Sequence, residues 1–355
     1  ILLLISTPED VIGMATDYLR ITFIGILGMA MYNIIVGILR GLGDSFTPLL
    51  FLLIATILNT ILDIIFVWQW GWGVAGAAWA TIISQAVSAI FSFLRLYRLE
   101  TIPRLSPRDF LIDQTIFKEL FRLGIPAGIM QGIFSIAMIL VQNLINRMGT
   151  TVIEANTAVI RIDALAMMPN FTFGMAATTF VGQNIGAAKM DRVRRGTKVL
   201  ARMALGVSIF LTVFIIFFGR NLLGWFTSNP DVITIGGNNI LILSLGYIAV
   251  SQSQVYGGVL RGAGDTMPAM WISLLTSIVL RTPLAYLLAY MSRSETWPNG
   301  SPYWVQLSLL VAWIVGAFAT YAWFKFGSWR EKAYTRLKLK EEAEEEWVEE
   351  TFGDV

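Results

Sequence analysis

The chain has 355 residues, 55% hydrophobic and 14% charged, with a mean hydropathy of +0.66, the composition of a polytopic membrane protein rather than a soluble domain. It contains no cysteine and no histidine, which excludes disulfides, thiol nucleophiles, Cys/His zinc centres and imidazole bases together. The net charge of +2 hides a split: residues 331–355 hold four Lys/Arg against nine Asp/Glu, leaving +7 on residues 1–330.

Ile1 to Ile5 reads as the end of an apolar span, and Ser6-Thr7-Pro8-Glu9-Asp10 as a helix-start turn, with Pro and acids where a helix N-terminus favours them. Periodicity and hydropathy then predict about nine helical spans, over roughly 11–38, 47–68, 73–96, 118–147, 152–182, 197–219, 232–259, 267–291 and 303–326. The polar stretch from Leu99 to Gln114, with Pro103 and Pro107, divides the chain into halves. The predicted organisation is a first set of spans over 1–98, a linker over 99–115, a second set over 116–327 and a charged tail over 328–355.

Leu49 to Val67 is nearly unbroken apolar sequence, and its strongly polar side chains are Asn59 and Asp63, four residues apart and so on one helix face. About 19 residues match a hydrocarbon core roughly 30 Å thick. An ionisable side chain at that depth is a functional candidate by default.

The halves repeat one another. Leu39-Arg40-Gly41-Leu42-Gly43-Asp44-Ser45 recurs 221 positions later as Leu260-Arg261-Gly262-Ala263-Gly264-Asp265-Thr266, each copy soon followed by proline, Pro48 and Pro268. Pro8-Glu9-Asp10-Val11-Ile12 is echoed by Pro230-Asp231-Val232-Ile233. Internal duplication of this kind marks transporters. The second half runs about 143 residues from Lys118 to Arg261 against 39 before Arg40, so roughly three helices are expected to precede Ile1.

Basic residues in short loops set the orientation. Arg95, Arg98, Arg104 and Arg108 flank the linker, and Lys189, Arg192, Arg194, Arg195 and Lys198 crowd the join after Gly186, two spans further on. The same parity places both Leu-Arg-Gly-x-Gly-Asp loops and the tail on the cytoplasmic side, and the turns at 69–72 and 226–231 outside.

The doubled Leu-Arg-Gly-x-Gly-Asp, the run Gly73-Val74-x-Gly76-Ala77-Ala78-x-Ala80-Thr81-x-x-Ser84-Gln85 and Gly182-Gln183-Asn184-x-Gly186-Ala187 resemble the MATE family of multidrug efflux transporters, from residue 1 to about 327. The resemblance implies an all-α polytopic bundle of two six-helix lobes, of which this chain holds helices 4 to 12 and the end of helix 3. It also implies that Asn59 and Asp63 match the cation-coupling motif of the DinF-type branch, with Thr81 its partner on the next helix and Tyr18 associated with the cluster. Sequence distance supports the grouping, since Asp63 falls near the outer end of its helix and Thr81 a similar few residues into the returning one. Asn33 is a family-like polar position about 22 Å from Tyr18 along the helix, and with Gln131, Phe134 and Met138 is a candidate for the wall of a drug cavity. The NorM-type branch instead uses acids in the second lobe, in helices 7 and 10. No Asp or Glu occurs between Gly124 and Asn146 or between Asn238 and Leu260, so coupling is expected to fall to the first lobe.

Plainer roles stand beside these. Asp63 could be a structural acid, and Asn59 and Thr81 ordinary interhelical hydrogen-bonders. Arg161 and Asp163, two positions apart, do not face each other on a helix and are expected to pair elsewhere, as is Arg281 ahead of Pro283. Arg40, Gly41, Gly43 and Asp44, with Arg261, Gly262, Gly264 and Asp265, read as tight turns in which Gly permits positive φ and Asp caps the next helix. The Glu-rich run from Glu341 to Glu350 reads as a solvated tail.

The expected function is an H⁺- or Na⁺-coupled antiporter of cationic or amphipathic drugs in the plasma membrane, with Na⁺ a candidate ligand of Asp63, Asn59 and Thr81. It needs no cofactor, no nucleic acid and no partner subunit to form its cavity. A lipid-linked oligosaccharide flippase is the alternative; an enzyme is not expected, because no catalytic constellation is present.

Overall fold

The computed structural model describes residues 9–99 and 113–335. The expectations placed on Ile1 to Pro8, on Pro103, Arg104, Pro107 and Arg108, and on Glu341 to Glu350 lie outside the described residues. Every element in the described residues is helical, and the chain forms two compact units, Ile1–Ile112 and Asp113–Val355.

The first unit holds three spans: α1 (Glu9–Gly41), α2 (Phe46–Asp63), which continues as a π-helical stretch over Ile64–Gln69, and α3 (Gly73–Tyr97). Both α1 and α2 pack on α3. Gly25 on α1 lies where a Cβ would run into Ile82 of α3. The turn into α3 needs left-handed backbone, with φ of 68° at Gly71 and 55° at Gly73, and Phe66, Trp70 and Trp72 stack around it at 5.0–5.1 Å between ring centres.

The second unit holds α4 (Gln114–Asn146), α5 (Thr150–Gly186), α6 (Met190–Leu223), α7 (Pro230–Ser244), α8 (Tyr247–Gly262), α9 (Met267–Leu274), a π-helical stretch over Leu275–Arg281, α10 (Thr282–Met291) and α11 (Pro302–Phe326). Two starts are capped as their sequences dictate: Asp113 Oδ1 accepts from the backbone N–H of Thr115 at 2.7 Å, and Asn229 Oδ1 from that of Asp231 at 3.0 Å. The span expected to run unbroken over 232–259 is instead α7 and α8, bent by 44°. The break falls at Gly246, whose missing Cβ leaves room for the Trp313 ring and Leu310 of α11. Past it, α5 and α8 approach at Gly258 and Gly262, where a Cβ would strike the carbonyls of Gly174 and Thr178, the small-residue packing that membrane helices use.

Eight of the described helices are long and apolar enough to cross a membrane, or nine with the bent pair as one. Their outward faces carry large apolar side chains such as Leu27, Phe46, Phe210 and Phe217, as a bilayer solvent requires.

The sequence places a charged tail after Trp329, but residues 329–335 form a helix that folds back on the second unit. Trp329 and Ala333, four apart and so on one face, bury against Val193, Val259 and Leu260, and the Trp329 indole N–H donates to the Phe324 carbonyl at 2.7 Å.

Candidate functional site

In the first unit, α2 presents Asn59 and Asp63 one turn apart, and α3 presents Thr81 opposite them. The Thr81 hydroxyl donates to the Ala77 carbonyl at 3.0 Å, so its oxygen is an acceptor towards α2. There the Asn59 amide N–H donates to it at 3.5 Å. That bond uses the amide nitrogen and leaves Asn59 Oδ1 as a further acceptor. Asp63, the last residue of α2, keeps Oδ1 buried with no hydrogen-bond partner, and it joins no ion pair among the described residues. A buried carboxylate oxygen without a donor is costly in a low-dielectric span. A proton or a small cation removes that cost.

The backbone adds a feature that sequence reading missed: the π-helical stretch begins directly after Asp63. Stretches of this kind interrupt the regular ladder and concentrate at functional sites. Phe66, Trp70 and Trp72, the aromatic knot at the end of this span, were the available signal.

The other candidates are placed less tightly. Tyr18 on α1 is 39% exposed; its carbonyl accepts from Thr22, and no hydrogen bond of its hydroxyl joins it to Asn59, Asp63 or Thr81. The Asn33 amide turns back to the Met29 carbonyl at 2.8 Å. Gln131, Phe134 and Met138 recur at three- and four-residue spacing along the exposed face of α4.

The two repeated loops share a backbone and differ in their partners. Gly43 and Gly264 take φ of 93° and 74°. Arg40 and Arg261 lie in the last turns of α1 and α8, where a cation suits the helix end. Asp44 caps α2 through the Thr47 backbone N–H at 3.0 Å and the Thr47 hydroxyl at 2.7 Å, and Arg95 of α3 reaches it at 3.3 Å. Burial works to raise this carboxyl, but the bonds from Thr47 and Arg95 outweigh it and hold Asp44 below its ordinary value. Asp265 caps nothing. It accepts instead from the Trp323 indole at 3.0 Å and from Lys332 at 2.8 Å.

Arg161 and Asp163 diverge as their two-residue spacing requires: the Arg161 guanidinium lies over the Phe226 ring at 5.6 Å, whereas Asp163 keeps its Oδ1 buried.

A bundle of apolar spans with an internal repeat and an unpaired carboxylate at membrane depth defines a membrane transporter. The family model MatE matches residues 1–65 and 126–287, and the chain belongs to that family. It is similar to the "Probable multidrug resistance protein YpnP" of Bacillus subtilis, 29% identical over 331 residues, which cover 93% of this chain and 72% of that protein. It is similar also to the "Probable multidrug resistance protein NorM" of Thermotoga maritima, 29% identical over 349 residues, covering 92% and 70%. A mutant of the Vibrio cholerae MATE transporter VcmN shares the fold, with a TM-score of 0.85 at 20% identity over 94% of this chain and 74% of that one.

Proposed function

We propose that the chain exports cationic or amphipathic organic compounds in exchange for H⁺ or Na⁺. Multidrug resistance relatives support the substrate class. The observation that carries the coupling is Asp63: an intramembrane carboxylate with one buried, unpartnered oxygen, beside the Asn59–Thr81 hydrogen bond.

In this reading the ion enters the first unit, takes up the Asp63 carboxylate and draws on Asn59 Oδ1 and Thr81 Oγ1 as neutral acceptors. Ion binding favours one arrangement of α2 and α3, since an ion shifts a two-state equilibrium only by its differential affinity. The π-helical stretch after Asp63 supplies backbone that re-registers without unfolding a span. Gln131, Phe134 and Met138 offer an apolar surface with one amide, and Met adapts to substrates of varied shape.

Ethidium export from proteoliposomes tests this, with an imposed pH gradient compared with an imposed Na⁺ gradient and Asp63→Asn beside the parent. Export that follows one gradient and is lost in the variant supports coupling through Asp63 and names the ion. Undiminished gradient-driven export by the variant removes Asp63 from the mechanism, and no export under either gradient favours a lipid-linked flippase.

A further inference from the structure

The helix over 329–335 is docked beside a strongly basic stretch of the second unit. Trp329 and Ala333 belong to one buried cluster with Val193 of α6, and Met190 packs against that cluster. Lys332 ties the same helix to Asp265 at 2.8 Å. In the sequence Val193 sits among cations: Lys189, Arg192, Arg194, Arg195, Lys198 and Arg202. All six are exposed.

Helix periodicity sorts this stretch into two faces. Val193, Thr197, Ala201 and Ala204 form the buried stripe of α6. At about 100° per residue, Arg194, Arg195, Lys198 and Arg202 fall on the opposite side, together with Val199, which is 53% exposed. Asp191, in the first turn, is the one acid on that side. None of the six cations joins an ion pair among the described residues. Arg194, Lys198 and Arg202 follow at four-residue intervals, where like charges repel, so the face gains from an anionic cover.

Lipid headgroups cover only part of it. From Met203 to Gly219 α6 is uncharged, about 26 Å along the helix and most of a hydrocarbon core. The headgroup layer on one side adds roughly 5–7 Å, about one turn, which takes in Arg202 and Lys198. Arg195, Arg194, Arg192 and Lys189 lie beyond that layer, where the chain itself carries the opposite charge. The residues after Thr335 lie outside the described residues, and their sequence is sorted by sign. Arg336, Lys338 and Lys340 come first, and seven glutamates then follow between Glu341 and Glu350 without a cation. Glu342, Glu345 and Glu349 repeat at i, i+3 and i+7, the spacing of Arg195, Lys198 and Arg202. From Thr335 to Glu341 the chain spans at most about 20 Å, and a helix with its side chains is about 10–12 Å across, so the glutamates reach the far side of α6 from the Trp329 anchor.

We infer that the segment Glu341–Glu350 docks on the exposed basic face of α6, at Arg192, Arg194, Arg195 and Lys198. The buried Trp329 fixes where the segment starts, which raises its effective concentration at that face. Seated there, the tail holds α6, and through Lys332 and Asp265 the loop between α8 and α9, to one stretch of chain. The contact involves neither Asp63 nor α2, so it stands or falls apart from the exporter reading.

The chain has no cysteine, so one introduced pair reports the contact. Val199→Cys/Ala343→Cys changes an uncharged residue on each partner, and the full chain is treated with a short bismaleimide in phosphatidylcholine nanodiscs. Cross-linking within one chain is expected in about 50 mM salt and should fall at least about fivefold in about 1 M salt, where the Debye length is about 3 Å. Arg192→Gln/Arg195→Gln/Lys198→Gln in the same background is expected to lower it as far without added salt. A yield that neither salt nor the triple variant changes means that charge does not seat the segment, and overturns the proposal. Absence of a cross-link at low salt overturns it too, as does one that forms only between two chains that each carry one cysteine. A face that takes up phosphatidylglycerol while the cysteines stay unlinked belongs to lipid instead.

Discussion

Asn59 Nδ2 donates to Thr81 Oγ1 at 3.5 Å, the one side-chain hydrogen bond between α2 and α3 among the described residues, and it lies one turn from Asp63. It fixes which oxygens remain available beside the carboxylate. Asn59→Ala and Thr81→Val are each expected to weaken cation-driven export about two- to tenfold, the range of one hydrogen bond. Thr81→Ser, which keeps the hydroxyl, should retain export. Loss with Thr81→Ser as severe as with Thr81→Val would show that packing rather than the oxygen matters.

The Asp44 carboxyl is held below its ordinary value, so the sign of its contribution follows. Its bonds stabilise the first unit above the unfolded-state value, about 3.9, and that contribution is lost as the pH falls through the lower folded value. The group is partly exposed, so the effect is small, under about 1 kcal/mol. Thermal unfolding of Asp44→Asn and the parent, followed against pH, should differ at neutral pH and converge in acid.

Gly258→Ala forces a methyl into the Gly174 carbonyl and Ala177 side chain across the α5–α8 contact. Overpacking of this kind costs about 1–3 kcal/mol. Gly28→Ala on α1 meets open space and should be neutral or slightly stabilising, by up to about 1 kcal/mol, because Ala is the better helix former. Melting temperatures of the two variants in one detergent compare them.

Trp329 is the largest fully buried side chain among the described residues, stacked on Phe324 at 5.5 Å, and Lys332 is tied to Asp265. Trp329→Ala is expected to cost about 3–5 kcal/mol locally and to release the segment after Phe326 to protease, whereas Lys332→Ala, which takes a half-exposed ammonium from the buried Asp265 carboxylate but leaves it the Trp323 indole N–H, should release it less. Limited proteolysis distinguishes the two; equal cleavage of both variants would place the anchor in the ion pair.

Much of this architecture was legible along the chain because membrane helices write themselves in one dimension: a span is a local run of apolar residues matched to bilayer thickness. The repeated Leu-Arg-Gly-x-Gly-Asp loops and the pair Asn59 and Asp63 are local patterns of the same kind. The α7/α8 bend was not legible, because Gly246 breaks the span only where Trp313 of a distant helix takes its place. Nor was the docked tail helix, whose Trp329 and Ala333 look like a short apolar interruption until Val193 and Leu260 cover them.

The sequence by itself determined the class, the spans, the internal repeat and the acid at membrane depth, since each follows from composition and spacing within one segment. The tertiary structure alone decided the partners: that Thr81 meets Asn59, that Asp44 and Asp265 hold different elements from the repeated loop, and that Trp329 is covered by Val193 and Leu260. Partnership is a property of packed surfaces, and in a bilayer an unpaired polar group is costly enough that where those surfaces leave one open is where the function is sought.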